Sequence, residues 1–288
     1  MSKKILVIGA TGFVGSALIK TLIHLNYNVF TGGRQYKENI PKLISDKYIK
    51  IDFDNIKNNS KKFDVVINCA VLIKSEKKKW SDIEYVNCSL VEKIIDSLNY
   101  DKLIHLSTYS IFSRNSLVHN QPEPNNLYGL SKYVSEKLIE LKTKVGKNSI
   151  VLRYPIIIGK NKKSSDVIKY MLDSSFSGKP VELYNGGEQL RNIIHISEVI
   201  KSIINSIDAK VKGFLTINIG SSDMLSTKDI YHFICKRFNH KKNINLNTKK
   251  SEFDFNFFID VSKSMLIGYK SISAEKNLEL FLREYDEV

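Results

Sequence analysis

Tyr128 and Lys132 are the residues whose types and spacing most directly suggest chemistry. They lie four positions apart in residues 127–132, Leu-Tyr-Gly-Leu-Ser-Lys, and on a helix this spacing places a phenol and an ammonium on one face. A lysine held there stabilises phenolate, so we expect it to lower the tyrosine pKa from about 10 towards neutrality. The phenol then exchanges a proton with an alcohol or a ketone. By itself, the pair also fits a solvated helix face without a chemical role.

A glycine-rich turn near the N-terminus gives this pair a context. Residues 4–8, Lys-Ile-Leu-Val-Ile, are typical of a buried strand and lead directly into Gly9, Gly12 and Gly15. Apolar residues then recur at helical spacing: Leu18, Ile19, Leu22, Ile23 and Leu25. A strand, a glycine turn and a helix in this order predict a site where backbone amides bind the pyrophosphate of a dinucleotide. An ordinary glycine-rich turn between a strand and a helix is the alternative.

With these motifs, the chain resembles the extended branch of the short-chain dehydrogenase/reductase family, which contains nucleotide-sugar epimerases, dehydratases and 4-keto reductases. The resemblance covers nearly the whole chain. The family's glycine motif matches Gly9, Gly12 and Gly15, and its Tyr-x-x-x-Lys pair matches Tyr128 and Lys132. This implies a Rossmann-type α/β fold, an NAD(P) cofactor and a nucleotide-sugar substrate.

The resemblance also implies roles for residues outside the two motifs. Thr108, near the end of an apolar strand, becomes the third catalytic residue beside Tyr128 and Lys132, and it hydrogen-bonds the same sugar oxygen that Tyr128 protonates or deprotonates. Lys132 also binds the nicotinamide ribose, while the nicotinamide gives or takes hydride. The residues placed beside the cofactor are Gly9, Thr11, Gly12, Phe13, Val14, Gly15, Asp52, Phe53, Cys69, Ala70, Asn87, Tyr128, Lys132, Tyr154, Pro155 and Ile157. Those placed beside the substrate are Thr108, Tyr109 and Arg191.

Departures from the family pattern bear on the reaction type. Tyr109 and Ser110 stand where dehydratases carry an Asp-Glu pair, so we do not expect 4,6-dehydration. The loop at 155–157 lacks the asparagine that many 4-epimerases carry there. These departures favour reduction of a 4-keto-(6-deoxy)sugar nucleotide for surface polysaccharide synthesis, with a 4-epimerase as the alternative. A non-catalytic NADP-binding regulatory protein is the alternative of another class, although such proteins typically lose the Tyr-x-x-x-Lys pair.

The end of the second strand bears on the choice of cofactor. NAD enzymes place an acidic residue there, a little over 20 residues after the first glycine, to bind the ribose hydroxyls. This position falls near Gly33, which has no carboxylate, and Arg34 follows it. An arginine beside the ribose forms charge-assisted hydrogen bonds to a 2′-phosphate. The pattern predicts a preference for NADP(H), with NAD(H) as a possible cofactor, and a surface arginine is the alternative.

Composition limits the classes of partner. The net charge of +14 comes largely from lysines spread along the chain, whereas nucleic-acid binding calls for a clustered basic face, so we expect no nucleic-acid partner. No apolar run is long enough for a membrane span, and residues 1–4 lead directly into a strand without a signal peptide, which predicts a cytoplasmic protein without a membrane partner. Cys69, Cys88 and Cys235 are expected to be free thiols, with no metal site.

Strand and helix patterns alternate through the first half of the chain. The predicted strands are 4–8, 27–31, 48–51, 64–68, 102–107 and 149–153, and the predicted helices are 13–25, 83–98 and 127–145. This alternation predicts a doubly wound parallel sheet with a smaller C-terminal α/β substrate-binding part. The dinucleotide-binding domain is expected to contain residues 1–158 with 193–220, and the substrate-binding part residues 159–192 with 221–288.

Two further expectations concern helix faces and histidines. Helices 83–98 and 127–145 should share one face of the sheet, where family members often pair, which predicts a homodimer with apolar contacts from the second helix: Val134, Leu138 and Leu141. His105 and His195 stand in apolar runs, which predicts structural histidines.

Overall fold

The structure, a computed structural model, describes residues 2–33, 47–50, 61–73, 79–113, 121–143, 146–162, 166–247 and 259–286. Arg34, Asp52 and Phe53, which are predicted to contact the cofactor, lie outside the described residues. The strands are β1 (Lys4–Ile8), β2 (Asn28–Gly33), β3 (Tyr48–Lys50), β4 (Lys62–Asn68), β5 (Asn99–Thr108), β6 (Asn148–Tyr154), β7 (Ile156–Ile158), β8 (Val181–Tyr184), β9 (Leu190–Arg191), β10 (Ile193–His195), β11 (Phe214–Asn218), β12 (Leu225–Ser226) and β13 (Ile244–Asn247).

The helices surround these strands. They are α1 (Phe13–His24), α2 (Trp80–Glu84), α3 (Leu90–Ser97), α4 (Leu127–Lys142), α5 (Val167–Ser177), α6 (Ile196–Asp208), α7 (Thr227–Arg237) and α8 (Ala274–Arg283). A π-helical turn, Tyr85–Ser89, joins α2 to α3. No helix within the described ranges is both long and apolar enough to span a membrane.

Seven strands form one parallel sheet in the order β11-β6-β5-β4-β1-β2-β3. The chain builds outward from β1 to β3 and then returns to place β4 beside β1, so the strand order reverses between these two strands. In open parallel sheets, such a switch point makes a crevice at the carboxyl ends of the strands, where ligands bind. The predicted Rossmann-type fold class is therefore confirmed, and residues that follow β1, β4 and β5 meet at one edge.

Two helix layers cover this sheet. Along β1, Ile5 and Val7 belong to an apolar cluster with α1 and α6, whereas Leu6 and Ile8 belong to a second cluster with α3 and α4. Because both faces are covered, the strand is apolar at every position from Ile5 onward, and it lacks the polar alternation of a half-exposed strand.

A separate apolar cluster organises much of the C-terminal part. It contains residues of α5, α7 and α8, such as Met171, Ile234 and Phe281, and β8 there pairs in parallel with β13. Two short pairings accompany it, β7 with β10 and β9 with β12. The division of the chain into a cofactor domain and a substrate domain stays a prediction.

Element bounds differ from the predictions at several places. The segment 83–98, predicted as one helix, is built from α2, the π-helical turn and α3. Helix α4 ends at Lys142 and not at 145. Strand β5 begins at Asn99 and not at 102, because its pairing with β4 already starts there.

Candidate active site

Gly9, Gly12 and Gly15 form the tight turn between β1 and α1. Gly9 has a φ of +80°, a conformation that side chains other than glycine rarely adopt. The Gly12 amide donates to the Gly9 carbonyl at 3.0 Å, and a Cβ on Gly15 would lie 2.2 Å from the same oxygen. Any side chain at position 15 would therefore force the helix away from the turn.

The first turn of α1 is suited to an anion. Gly12 is the N-cap and has no side chain to occupy the first amides, and no acidic residue stands in the first turn. The helix dipole adds partial positive charge at this end. A Cβ on Gly9 would lie 2.6 Å from the Ala70 nitrogen, so the loop after β4 closes tightly on the turn. These features fit the pyrophosphate of a dinucleotide.

Several other residues predicted beside the cofactor lie in the glycine turn, after β4 or after β6, and they are half-buried: Thr11, Phe13, Val14, Ala70, Pro155 and Ile157.

Cys69 continues the pairing of β4 with β1, because its amide donates to the Ile8 carbonyl at 2.9 Å. Cys69, Cys88 and Cys235 are free thiols. Burial raises the pKa of Cys69 to about 12 and that of Cys88 to about 11. Both thiols therefore stay protonated near neutral pH, which does not suit a nucleophile.

Tyr128 lies in the first turn of α4, at the carboxyl end of β5. Asn126 caps the helix by accepting a hydrogen bond from the Gly129 amide at 2.8 Å. A Cβ on Gly129 would lie 2.0 Å from the Ser110 carbonyl oxygen, so glycine permits the helix to approach the strand end. As a result, Thr108, the last residue of β5, lies close enough to the Tyr128 side chain to affect its pKa.

The pKa of Tyr128 moves in the direction opposite to the prediction. Burial raises it to about 12, and the hydrogen bond with Thr108 opposes this rise. The expected lowering by Lys132 is wrong for this structure, because burial has the larger effect. The Lys132 Nζ is directed at β5 and lies 2.8 Å from His105 Nε2. Near neutral pH the phenol is protonated, which suits a proton donor.

Lys132 is buried, with 1% of its surface exposed. The groups that face it are His105 on β5, Cys69 after β4, Cys88 in the π-helical turn and Glu136 one turn further along α4. Burial lowers the pKa of Lys132 to about 8, and Glu136 opposes the shift. Unlike a surface lysine, Lys132 loses its proton close to neutral pH.

Asn87 ties α4 to the loop after β4. Its Oδ1 accepts from the Leu72 amide at 2.8 Å, and its Nδ2 donates to the Leu72 carbonyl at 3.0 Å and to Ser131 Oγ at 2.9 Å. Ser131 in turn donates to the Tyr128 carbonyl at 2.8 Å. Asn87 belongs to the π-helical turn, a feature frequent at functional sites. It therefore orders the helix that carries the Tyr-Lys pair.

Glu136 forms a buried ion pair with Arg153 of β6. The Arg153 Nη2 lies 2.6 Å from Oε2, and Nε lies 3.1 Å from both carboxylate oxygens. Ser107 of β5 donates to the same carboxylate. This planar fork anchors α4 across two strands.

Three predicted residues have their contacts elsewhere. Tyr154 ends β6, but its hydroxyl lies 2.8 Å from Ser202 Oγ of α6. Tyr109 is 7% exposed and belongs to a small apolar cluster. Arg191 lies in β9, where its Nη2 donates to the Gln189 side chain. None of these contacts involves Tyr128, and the roles predicted for Tyr109, Tyr154 and Arg191 stay predictions.

Some residues that surround Lys132 are not predicted from the sequence. Glu136 and Arg153 are absent from the predicted set, and the apolar strand around His105 predicts a purely structural histidine. The sequence nevertheless contains a pattern that indicates these buried charges. Lys132, Glu136 and the buried Ile139 recur at helical spacing on α4, which places two charged groups on the buried face.

The NAD dependent epimerase/dehydratase family model matches residues 5–220, which is more than half of the chain. The matched span contains the glycine turn, Thr108, Tyr128 and Lys132.

Curated relatives cover most of the chain. The UDP-N-acetyl-alpha-D-glucosaminuronate decarboxylase of Bacillus cytotoxicus is 24% identical over 254 residues, and the match covers 80% of this chain and 78% of the relative. The UDP-glucose 4-epimerase of Vibrio cholerae is 27% identical over 228 residues, with 72% of this chain and 67% of the relative covered.

Among solved structures, the UDP-glucuronic acid 4-epimerase from Bacillus cereus in complex with UDP-glucuronic acid and NAD has a TM-score of 0.82 with this chain. The two are 24% identical, and the match covers 99% of each. At this identity the likeness shows a shared fold.

Proposed function

This chain belongs to the NAD dependent epimerase/dehydratase family, and from that premise we propose that it is an enzyme that transfers a hydride and a proton at one carbon and oxygen of a nucleotide-activated sugar. The observation that carries the proposal is the position of Tyr128 beside Thr108 at the carboxyl end of β5, two strands from the glycine turn of β1, with Lys132 one turn further along α4. A proton donor and a dinucleotide site at one sheet edge suit this chemistry.

In the proposed mechanism, Tyr128 moves the proton. Its pKa, raised by burial, keeps the phenol protonated and ready to donate to a sugar keto oxygen. Thr108, which lies beside the phenol, holds the same oxygen in place. The glycine turn would hold the cofactor pyrophosphate, and Lys132 would hold the nicotinamide ribose. The nicotinamide, when bound, supplies or accepts the hydride.

The first candidate reaction is 4-epimerisation of a UDP-sugar, a reaction named in the Vibrio cholerae and Bacillus cereus relatives. An epimerase oxidises the sugar carbon and reduces it again from the other face, so its cofactor is regenerated in each cycle. Nothing in the sequence from Thr108 to Ser110 supplies the carboxyl acid and base of 4,6-dehydration.

The second candidate, reduction of a 4-keto-(6-deoxy)sugar nucleotide, is favoured by the loop after β6. Pro155, Ile156 and Ile157 stand where many 4-epimerases carry an asparagine, and the two isoleucines pair with β10. A reductase consumes one reduced cofactor for each sugar. Synthesis of a surface polysaccharide is the pathway predicted for this activity.

Cofactor fate separates the candidates. We expect the purified protein with NAD to interconvert UDP-glucose or UDP-glucuronic acid with its 4-epimer, detected by NMR, without net change in the absorbance of reduced nicotinamide. Stoichiometric oxidation of NADPH or NADH by a 4-keto-6-deoxy nucleotide sugar would select the reductase. No turnover in either assay, with intact cofactor binding, would favour the non-catalytic regulatory alternative.

One observation favours NAD as the cofactor, and another favours NADP. The Bacillus cereus relative was solved with NAD, whereas Gly33 of this chain has no carboxylate and is followed by Arg34, which favours NADP. If Arg34 binds the 2′-phosphate, its loss costs roughly ten- to a hundredfold in NADPH affinity. Titration of NADH and NADPH against the wild type and Arg34→Ala measures this. Equal affinities in the wild type would remove Arg34 from the site.

A homodimer remains a prediction with a structural support. On α4, Val134 is 37% exposed and Leu141 is 83% exposed, so this apolar face is available to a second copy. Light scattering at micromolar concentration should give a dimer mass, and a monomer mass would contradict the prediction.

A further inference from the structure

His105 lies at the centre of a buried hydrogen-bond chain that the proposed reaction does not use. The residue is fully buried. Its Nδ1 lies 3.2 Å from Asn68 Nδ2, while its Nε2 lies 2.8 Å from Lys132 Nζ and 3.3 Å from Ser135 Oγ. Burial and Lys132 hold its pKa well below the usual 6.5. The ring is therefore neutral and carries one proton, and its neighbours decide which nitrogen holds it.

The contact of Asn68 with Nδ1 indicates which nitrogen of His105 carries the proton. Its Oδ1 accepts from the Ala70 amide at 3.1 Å, which fixes the orientation of the side-chain amide. The Nδ2 group then faces His105 Nδ1. Because an amide NH₂ only donates, Nδ1 must accept, and the proton is on Nε2.

Ser135 gives the same assignment from the other side. Its hydroxyl donates to the Lys132 carbonyl oxygen at 2.7 Å. With its single proton used there, Ser135 Oγ does not donate to His105 Nε2, which agrees with a proton on that nitrogen.

This tautomer has a consequence for Lys132. An ammonium group has three donors and no acceptor, so an N–H on His105 Nε2 bonds the Lys132 Nζ at 2.8 Å only when the lysine is neutral. When Lys132 takes up one proton from water, the ring must carry its own proton on Nδ1 instead. The Asn68 amide must then turn and release the Ala70 amide, which lies against Gly9 of the glycine turn.

The remaining groups that face Lys132 do not supply a competing partner. The thiols of Cys69 and Cys88 stay protonated, since burial raises the pKa of each. Glu136, on the same helix, is already bonded to Arg153 and Ser107.

We propose that Asn68 and His105 are positioning residues that couple proton uptake by Lys132 to a rotation of the Asn68 amide beside the glycine turn. The proposal deepens the proposed function, since it concerns the lysine assigned to the cofactor ribose. Its test requires neither substrate nor cofactor. A protein with this tautomer but without turnover on any sugar would overturn the proposed function alone.

NMR of isotope-labelled histidine in the whole chain tests the tautomer. Long-range proton–nitrogen spectra distinguish an Nε2–H ring from an Nδ1–H ring and from imidazolium. Of the six histidines, His105 is assigned as the signal lost in His105→Phe, or by elimination through single substitutions of the other five if that variant does not fold. We expect the Nε2–H tautomer at about pH 9.5, where Lys132 is neutral. An Nδ1–H ring or an imidazolium would overturn the proposal.

Asn68→Asp tests the coupling. A carboxylate accepts from Nδ1–H, so we expect His105 to change tautomer and the proton affinity of Lys132 to rise at least about tenfold, or one pKa unit. Labelled lysine side chains, with Lys132 assigned through Lys132→Arg, report the pKa. Asn239→Asp makes the same charge change at an exposed position after α7 and should leave both signals unchanged. An Asn68→Asp protein with unaltered tautomer and Lys132 pKa would also overturn the proposal.

Discussion

The glycine turn and helix α4 both position parts of the candidate site, and they do so by opposite means. The turn depends on missing side chains, because Gly9 and Gly15 allow the backbone to approach itself and the Ala70 amide. Helix α4 depends on side chains that are present, since Lys132 and Glu136 on its buried face are held by His105 and Arg153. The glycines of the turn lie within seven residues of one another, whereas the side chains of α4 are held by residues of β5 and β6, outside the helix.

The largest expected effect on stability concerns the buried ion pair of α4. Glu136→Gln leaves the Arg153 guanidinium without its charge partner, and loss of one member of a buried pair costs about 3 kcal/mol or more. Urea unfolding measures this loss. Glu140→Gln is the matched control, because it removes an exposed pair with Lys137 on the same helix and should cost less than about 1 kcal/mol. Similar losses in both variants would contradict the role given to Glu136.

Adding a single methyl group to the glycine turn should weaken cofactor binding. In Gly15→Ala, the new Cβ would lie 2.2 Å from the Gly9 oxygen, and we expect the affinity for NAD or NADP to fall about a hundredfold, since overpacking costs 1–3 kcal/mol. Fluorescence titration of the reduced cofactor measures the change.

Gly213→Ala provides the control for this substitution. Gly213 has a φ of +69°, and a Cβ there meets no atom within 4 Å. The backbone strain costs about 1 kcal/mol of stability but should leave cofactor affinity unchanged. Unchanged affinity in Gly15→Ala as well would show that this turn does not bind the cofactor.

The contrast between the two regions also explains what the sequence can predict. The glycine turn and the alternation of strands and helices depend on adjacent residues, so the parallel sheet is accessible from the pattern. The place of Thr108 beside Tyr128 is implied only by the family resemblance. The contact of Lys132 with His105 joins residues 27 positions apart, and that of Glu136 with Arg153 joins residues 17 apart. These contacts depend on how α4 lies on β5 and β6, which periodicity does not determine.

Burial explains the error in the Tyr128 pKa. The spacing of Tyr128 and Lys132 predicts a phenol stabilised as phenolate, but it contains no information on desolvation. In the folded chain, burial is the larger effect, and it raises the pKa of Tyr128 while lowering that of Lys132.

A smaller effect should appear in the pH dependence of stability. Burial lowers the pKa of Lys132 from 10.5 to about 8. Below about pH 8 both the folded and the unfolded chain bind this proton. The folded state then carries the whole free-energy cost of the buried ammonium group. Between these two pKa values only the unfolded chain binds it, so the free energy of unfolding should rise with pH by roughly 1 kcal/mol per unit.

Lys132→Met removes this contribution while it keeps an unbranched side chain. Urea unfolding of both proteins at about pH 8 and about pH 9.5 should give a steeper rise for the wild type. Parallel pH profiles would mean that Lys132 is not the buried titrating group of α4.

The central claim is that Tyr128 transfers the proton at a site whose cofactor is bound independently by the glycine turn. The most direct test is Tyr128→Phe, measured for turnover on the sugar nucleotide that the assays identify and for cofactor affinity in the same preparation. Tyr133→Phe, on the next turn of α4, is the control and should behave like the wild type. The account predicts that Tyr128→Phe reduces turnover by about a hundredfold to ten-thousandfold and leaves cofactor affinity within about twofold. Near wild-type turnover in Tyr128→Phe would contradict it.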